Sequence, residues 1–242
     1  MVSLWLSIIA ALLAVLISAL AYLLVARTLP AGNHGSLIRH SSVIICGPSG
    51  TGKTRLFLEL VSPQHPATVV SATLNIAPLL GHDKFRLVDV PGSSKVREGL
   101  FAQVIASARS IVLLVDGGRL EYLYQDIAFI MTILAESCQK RLPLLIVLKC
   151  TSADLPSRKN ALVHTLTAEL HKVLRRVLEA HAEDDETDHE STIKRNAQLL
   201  LKAVGAADDV EELSFEALSA RIHAEIIDDQ SVEAIKNWIL AH

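Results

Sequence analysis

Cysteine is scarce in this 242-residue chain, and basic charge is not in excess. Cys46, Cys138 and Cys150 are odd in number and show no C-x-x-C spacing, which argues against a disulfide framework or a thiolate metal site. The thiols are therefore read as reduced and are assigned no chemistry. Lys and Arg together number 23 against 26 Asp and Glu, a formal net charge of −3. That balance supplies no basic field of the kind nucleic-acid binding requires, so nucleic acid is not expected as a direct ligand. No internal repeat stands out, and no Lys or Arg precedes Leu4.

What the chain does have first is "LWLSIIAALLAVLISALAYLLVA", Leu4 to Ala26, 23 residues without a charge. That length crosses a hydrocarbon core of about 30 Å as a helix. A cleavable signal peptide would show a basic start and a shorter apolar run, so residues 4–26 are read as a transmembrane helix. Arg27 and Arg39 follow the run; by the positive-inside rule the C-terminal part is expected in the cytoplasm, as a single-pass topology. Residues 27–39, around "TLPAGNHGS", read as a linker. Residues 40–242, about 200 in all, are enough for one domain with an ample core.

The domain opens with "IICGPSGTGKTRLF", Ile44 to Phe57. Gly47, Pro48, Ser49, Gly50, Thr51, Gly52, Lys53 and Thr54 fit G-x-x-x-x-G-K-[ST], the phosphate-binding loop between a strand and a helix. Both flanks agree: "SSVIIC" is a β-branched apolar run, and "KTRLFLEL" carries a helical pattern. Glycines let the backbone curl with its N–H groups pointing at a phosphate, and the helix N-terminus adds a favourable dipole. Lys53 would neutralise β- and γ-phosphates, and Thr54 would place its hydroxyl on Mg²⁺.

The remainder alternates apolar runs with amphipathic stretches, the pattern of an α/β domain with a mainly parallel sheet. Strands are expected at Phe85 to Val90, Ser110 to Asp116, Pro143 to Lys149 and Arg221 to Ile227. A long helix is expected over Ala161 to Ala182, its apolar stripe formed by Val163, Leu166, Leu170, Val173, Leu174 and Val177. "EDDETDHE", Glu183 to Glu190, reads as a solvated acidic loop rather than a metal cluster. "LVDVPG" places Asp89 at a strand end with Gly92 three residues on, about 35 residues after the phosphate loop. In nucleoside-triphosphate folds such an Asp holds the Mg²⁺ shell and such a Gly N–H reaches the γ-phosphate.

These residues, with "TVVS", "KVR", "FEAL" and "VEAIKNWIL" in that order, resemble the small GTPases of the Ras-like class and, within them, the signal recognition particle receptor beta subunit family. The resemblance implies a doubly wound sheet of six strands behind one membrane helix, with GTP and Mg²⁺ as ligands. It also implies an endoplasmic reticulum anchor, and a cytoplasmic domain that recruits the receptor's alpha subunit and, indirectly, the ribosome and signal recognition particle. Carried over, Thr68 is the switch threonine that coordinates Mg²⁺, and Asp89 reaches the metal through water.

The sequence also departs from the family pattern. Ser93 stands where a water-orienting Gln would sit and is too short for that work, so hydrolysis is expected to be slow. The guanine-reading Asn-Lys-x-Asp is replaced by "LKCTSADL": an ungapped match puts Lys149 on the Asn and Ser152 on the Asp, whereas a two-residue shift offers Asp154. A Ser-Ala motif is not clear near "IIDDQS". Arg97 and Arg119 read as surface charges rather than arginine fingers. Three functions follow: a membrane-anchored GTP switch that holds a partner, which the motifs favour, a turning-over trafficking NTPase, or a nucleotide-bound scaffold.

Overall fold

Burial sorts the strands. Ser42–Cys46 (β1) is buried at all five positions, Leu144–Lys149 (β5) at all but its last, and Ala108–Asp116 (β4) at all but its second and last. Runs without alternation need cover on both faces, as in a parallel sheet flanked by helices. The computed structural model describes residues 42–62, 72–179, 188–205, 210 and 213–242. The expected span 4–26, the linker 27–39 and Thr68 lie outside the described residues. Among the described residues no helix is long and apolar enough to cross a membrane.

Asn75–Leu79 (β2), His82–Asp89 (β3) and Glu225–Asp228 (β6) complete a six-stranded sheet in the order β2-β3-β1-β4-β5-β6. Every neighbouring pair is parallel except β2 and β3, which form an antiparallel hairpin. Gly81 makes its turn at φ 81°, a left-handed conformation that glycine adopts without a Cβ penalty. β2 escapes the sequence pattern because it carries Pro78, which cannot donate to a ladder and is tolerated at an edge.

Helices Lys53–Val61 (α1), Arg97–Val104 (α2), Ile127–Lys140 (α3), Leu155–Glu179 (α4), Asp188–Val204 (α5), Phe215–Ile222 (α6) and Val232–Ala241 (α7) fill the connections. Ile235, Trp238 and Ile239 of α7 join Leu56, Phe57 and Leu60 of α1 over β1. Helix α3 is buried nearly all round because α5 and α6 pack outside it; Asn196 Nδ2 of α5 donates to Thr132 Oγ1 of α3 at 3.0 Å.

Three expectations need correction. The strand expected from Arg221 to Ile227 begins as helix: Arg221 and Ile222 are the last residues of α6, and only Glu225 to Ile227 lie in β6. Ser214 Oγ accepts from Ala217 N and starts α6, whose buried Phe215, Leu218 and Ile222 continue one face through the expected strand's start. His223 then ends the helix in a left-handed conformation at φ 48°, which confines β6 to four residues. Helix α4 begins six residues before Ala161, with Pro156 in its first turn, where a missing N–H costs nothing. Its buried line is Leu162, Leu166, Leu170 and Leu174, with Val163, Val173 and Val177 only half-buried beside it. The acidic segment is not all loop either, since Asp188 to Glu190 open α5.

The chain leaves β1 for β3 on one side and later passes to β4 on the other. The carboxyl end of β1 is thus a topological switch point, the crevice where open α/β sheets bind ligands.

Candidate functional site

The loop Gly47–Gly52 sits in that crevice. Gly47 adopts φ 137°, and a Cβ there would collide with the carbonyl of Leu114 in β4, so no side chain fits. Gly52, left-handed at φ 96°, stands at the N-cap of α1 and supplies no side-chain cap. The first N–H groups of α1 are thereby left facing the crevice without a capping side chain, as an anion at a helix N-terminus requires.

Lys53 is buried although cationic; its Nζ donates to Pro48 O at 2.5 Å, and Thr51 Oγ1 donates to the same carbonyl at 3.0 Å. Burial lowers the Lys53 pKa, and the Asp89 carboxylate opposes that shift. A buried ammonium held beside the glycine loop is a ready partner for an anion.

Asp89 arrives through strand pairing. In the β1–β3 register it lies beside Ile45, and Val90 N donates to Ile45 O at 2.9 Å. Thr54 Oγ1 donates to Asp89 Oδ2 at 2.9 Å, and so does Asn75 Nδ2. Asp89 is fully buried, and its Oδ1 has no hydrogen-bond partner among the described residues. Burial raises its pKa, against the two hydrogen bonds and Lys53. A buried orphan carboxylate oxygen next to a hydroxyl is a donor set that suits Mg²⁺ with water in its shell. These residues fit the ion that the motif implies.

Gly92 closes the group: a Cβ built on it would stand 2.6 Å from Lys53 Nζ and 2.7 Å from Ser49 Cα. Of the residues expected to hold phosphate and metal, the fold therefore brings together residues 47–54, Asp89 and Gly92. Ser93 follows as the first residue of a turn, its carbonyl accepting from Val96 N at 3.1 Å and Arg97 N at 3.0 Å.

Arg97 is not a surface charge. It is 4% exposed, pairs through Nη1 with Asp126 Oδ1 just before α3, and sets its guanidinium 4.6 Å from the centre of the Phe129 ring. The apolar neighbourhood of Phe101 and Phe129, edge to face at 5.5 Å, forces the charge to pair. Arg119 is exposed, its guanidinium over Tyr122 at 5.1 Å.

At the other end of the crevice, Lys149 ends β5 with Nζ 3.6 Å from Asp116 Oδ2. Asp154 stands immediately before α4, accepts from Thr151 Oγ1 at 2.6 Å, and gives its carbonyl to Arg158 N. Ser152 and Asp154 are both exposed. Sequence reasoning missed Asp229, which follows β6: its Oδ1 accepts from Cys150 N and from Gln230 Nε2, each at 3.2 Å, and ties the two strand-end loops together. The acidic doublet ending an apolar run was the only local sign of it.

Cys46 is fully buried in β1, which pushes its thiol up to about 12; Cys138 is pushed to about 11 by burial. A groove of about 880 Å³ lined by Lys159, Val163, His164, Phe215 and Ile226 lies between α4, α6 and β6 and shares no residue with the phosphate-loop group.

Comparison with known proteins gives the family and the fold. The signal recognition particle receptor beta subunit family model matches residues 38–202. The mouse signal recognition particle receptor subunit beta is 27% identical over 125 residues, 50% of this chain and 46% of the relative, and the rat protein is 26% identical over 125 residues with the same coverage. The chain thus spans about half the length of the curated relatives it matches. The mammalian signal recognition particle receptor structure aligns with 83% of this chain and 98% of its own at a TM-score of 0.53 and 19% identity, a likeness of fold. That fold is the Ras-like GTPase α/β fold, with its mostly parallel sheet. With the family model covering well over half of its length, the chain belongs to the signal recognition particle receptor beta subunit family.

Proposed function

We infer that this chain binds GTP with Mg²⁺ at the β1–α1 loop and serves as the membrane-held subunit of a signal recognition particle receptor. One observation carries the reading: Lys53, Thr54, Asp89 and Gly92 converge on the glycine loop at the switch point of the sheet. Backbone N–H groups of residues 49–54 cradle the phosphates, and the Lys53 ammonium offsets their charge. Thr54 Oγ1 and Thr68 would hold the metal directly, and Asp89 would hold it through water. Mg²⁺ would neutralise charge between β- and γ-phosphate oxygens. Gly92 N–H reports the γ-phosphate to the turn that begins at Ser93. Lys149 flanks the base, and Asp154 is the guanine reader.

Ser93 cannot orient an attacking water, so the triphosphate state is long-lived. Hydrolysis should be no faster than the scale of about 10⁻⁴ s⁻¹ of an unassisted Ras-like protein. The ordered loops then dock the receptor's alpha subunit, and residues 4–26 hold the complex in the endoplasmic reticulum membrane with the domain in the cytoplasm.

The test begins with the nucleotide released by denaturing the purified full chain and identified by chromatography: copurified GTP supports a slow switch, and no nucleotide revives a scaffold. Capture of the alpha subunit's N-terminal domain should be at least about tenfold better with a non-hydrolysable GTP analogue than with GDP, a coupling of about 1.4 kcal/mol. Equal capture in both states would make the nucleotide structural. Protease added to intact microsomes should digest the domain and leave a short protected fragment; a fully protected chain overturns the topology.

A further inference from the structure

Asn75, the first residue of β2, stands directly opposite Asp89 across the antiparallel β2–β3 pair. Its Nδ2 and Thr54 Oγ1 both donate to one oxygen, Asp89 Oδ2, each at 2.9 Å. The second oxygen, Oδ1, is buried and has no hydrogen-bond partner among the described residues. Leaving a buried carboxylate oxygen unmatched is costly unless a further group faces it.

Resting on the Mg²⁺-binding reading above, we propose that Asn75 is a positioning residue for the divalent metal: it pins Asp89 Oδ2 so that Oδ1 is presented to the metal's water shell. The carboxylate torsion of an aspartate is broad and nearly two-fold, so a single hydrogen bond from Thr54 does not fix which oxygen faces the crevice. A second donor on the same oxygen does. The amide suits the task because it carries no charge. A Lys or Arg at this position would neutralise Asp89 and compete with the cation, and an Asp would repel it. Strand register supplies the precision, since residues directly opposite on antiparallel strands have side chains within reach of one another. Outer hydrogen bonds of this kind orient metal-holding groups, and removing one costs on the order of 10–100-fold in metal affinity.

The experiment measures binding of a fluorescent GTP analogue to the full chain in detergent, across a range of free Mg²⁺ and in EDTA. Asn75→Leu keeps the shape of the side chain and removes the donor; Asn75→Ala serves as a second variant. Both should raise the Mg²⁺ concentration for half-maximal enhancement by about tenfold while leaving the affinity in EDTA within about twofold. A Mg²⁺ requirement within about twofold of wild type in the leucine variant overturns the proposal. So does an EDTA affinity that falls in parallel, because Asn75 would then support the loop rather than the metal. Wild-type protein that binds the analogue equally well with and without Mg²⁺ removes the metal role of Asp89 and Asn75 together, while wild-type protein that binds none sinks the parent reading.

Discussion

Gly92 lies directly against the ammonium of Lys53: a Cβ on Gly92 would stand 2.6 Å from Lys53 Nζ and 2.8 Å from Ser49 N. Two loops that follow different strands thus meet with no room for a methyl group. Gly92→Ala should force the loop after β3 away from the phosphate loop and destabilise the fold by about 1–3 kcal/mol, as overpacking does. Urea unfolding measures the stability, and titration with GTP should show weakened binding in the same variant. Wild-type behaviour in both would mean that the contact yields easily and that Gly92 is not a fixed element of the site.

Lys53→Ala and Thr54→Asn remove the buried ammonium and the hydroxyl beside Asp89. Each loses a hydrogen bond to a charged group, about 1.5–3 kcal/mol, so GTP affinity in Mg²⁺ should fall at least about tenfold. Calorimetric titration decides it, and unchanged affinity in either variant would sink the phosphate-loop assignment.

Asp154→Asn bears on the base rather than the phosphates. Its carboxylate accepts from Thr151 Oγ1 in the loop after β5; an amide there would lower GTP affinity and shift preference toward xanthine nucleotide, whose base offers the opposite hydrogen-bond pattern. If the GTP-to-XTP ratio does not move, the reader lies elsewhere, and the neighbouring Asp229 becomes the residue to substitute next.

Arg97→Ala breaks a pair in which the cation is 4% and the carboxylate 21% exposed. Breaking a buried pair costs roughly 3–5 kcal/mol, and the partial exposure of Asp126 places this one near about 3 kcal/mol. The loss is read from chemical denaturation of the variant. Should it stay under about 1 kcal/mol, typical of a surface ion pair, α2 is not held to α3 by this contact.

Cys46 sets a pH dependence. Its folded thiol is raised by burial from an ordinary 9.0 to about 12, so the native state keeps the proton more tightly than the unfolded chain does. The stabilisation is complete below about pH 9 and is lost as pH rises toward 12. Urea midpoints from pH 8 to 11 should decline less steeply in Cys46→Ala than in wild type, and a thiol reagent at pH 8 should leave Cys46 unmodified until the protein unfolds. Identical slopes would remove the thiol from the alkaline response.

The sequence by itself determined the contiguous features. The phosphate loop is legible because curling a backbone around an anion demands glycines, a lysine and a hydroxyl within eight consecutive residues, Gly47 to Thr54. Strands β1, β4 and β5 are legible because burial on both faces leaves a nearly unbroken run of apolar side chains. Tertiary structure decided what depends on pairing across distance. Asn75 meets Asp89 through a strand register, Arg97 meets Asp126 across 29 residues, and Asp229 meets Cys150 across 79. Strand β2 hid behind its edge proline, and the strand expected from Arg221 lost its first two residues to a helix. Arg97 shows the reason most plainly: a charged residue followed by Glu98 and Gly99 reads as surface in any local window, and only the docking of α2 against Phe129 buries it. Local steric and phosphate chemistry is written in adjacent residues, whereas the partner of a buried polar group is chosen by how the sheet and helices come together.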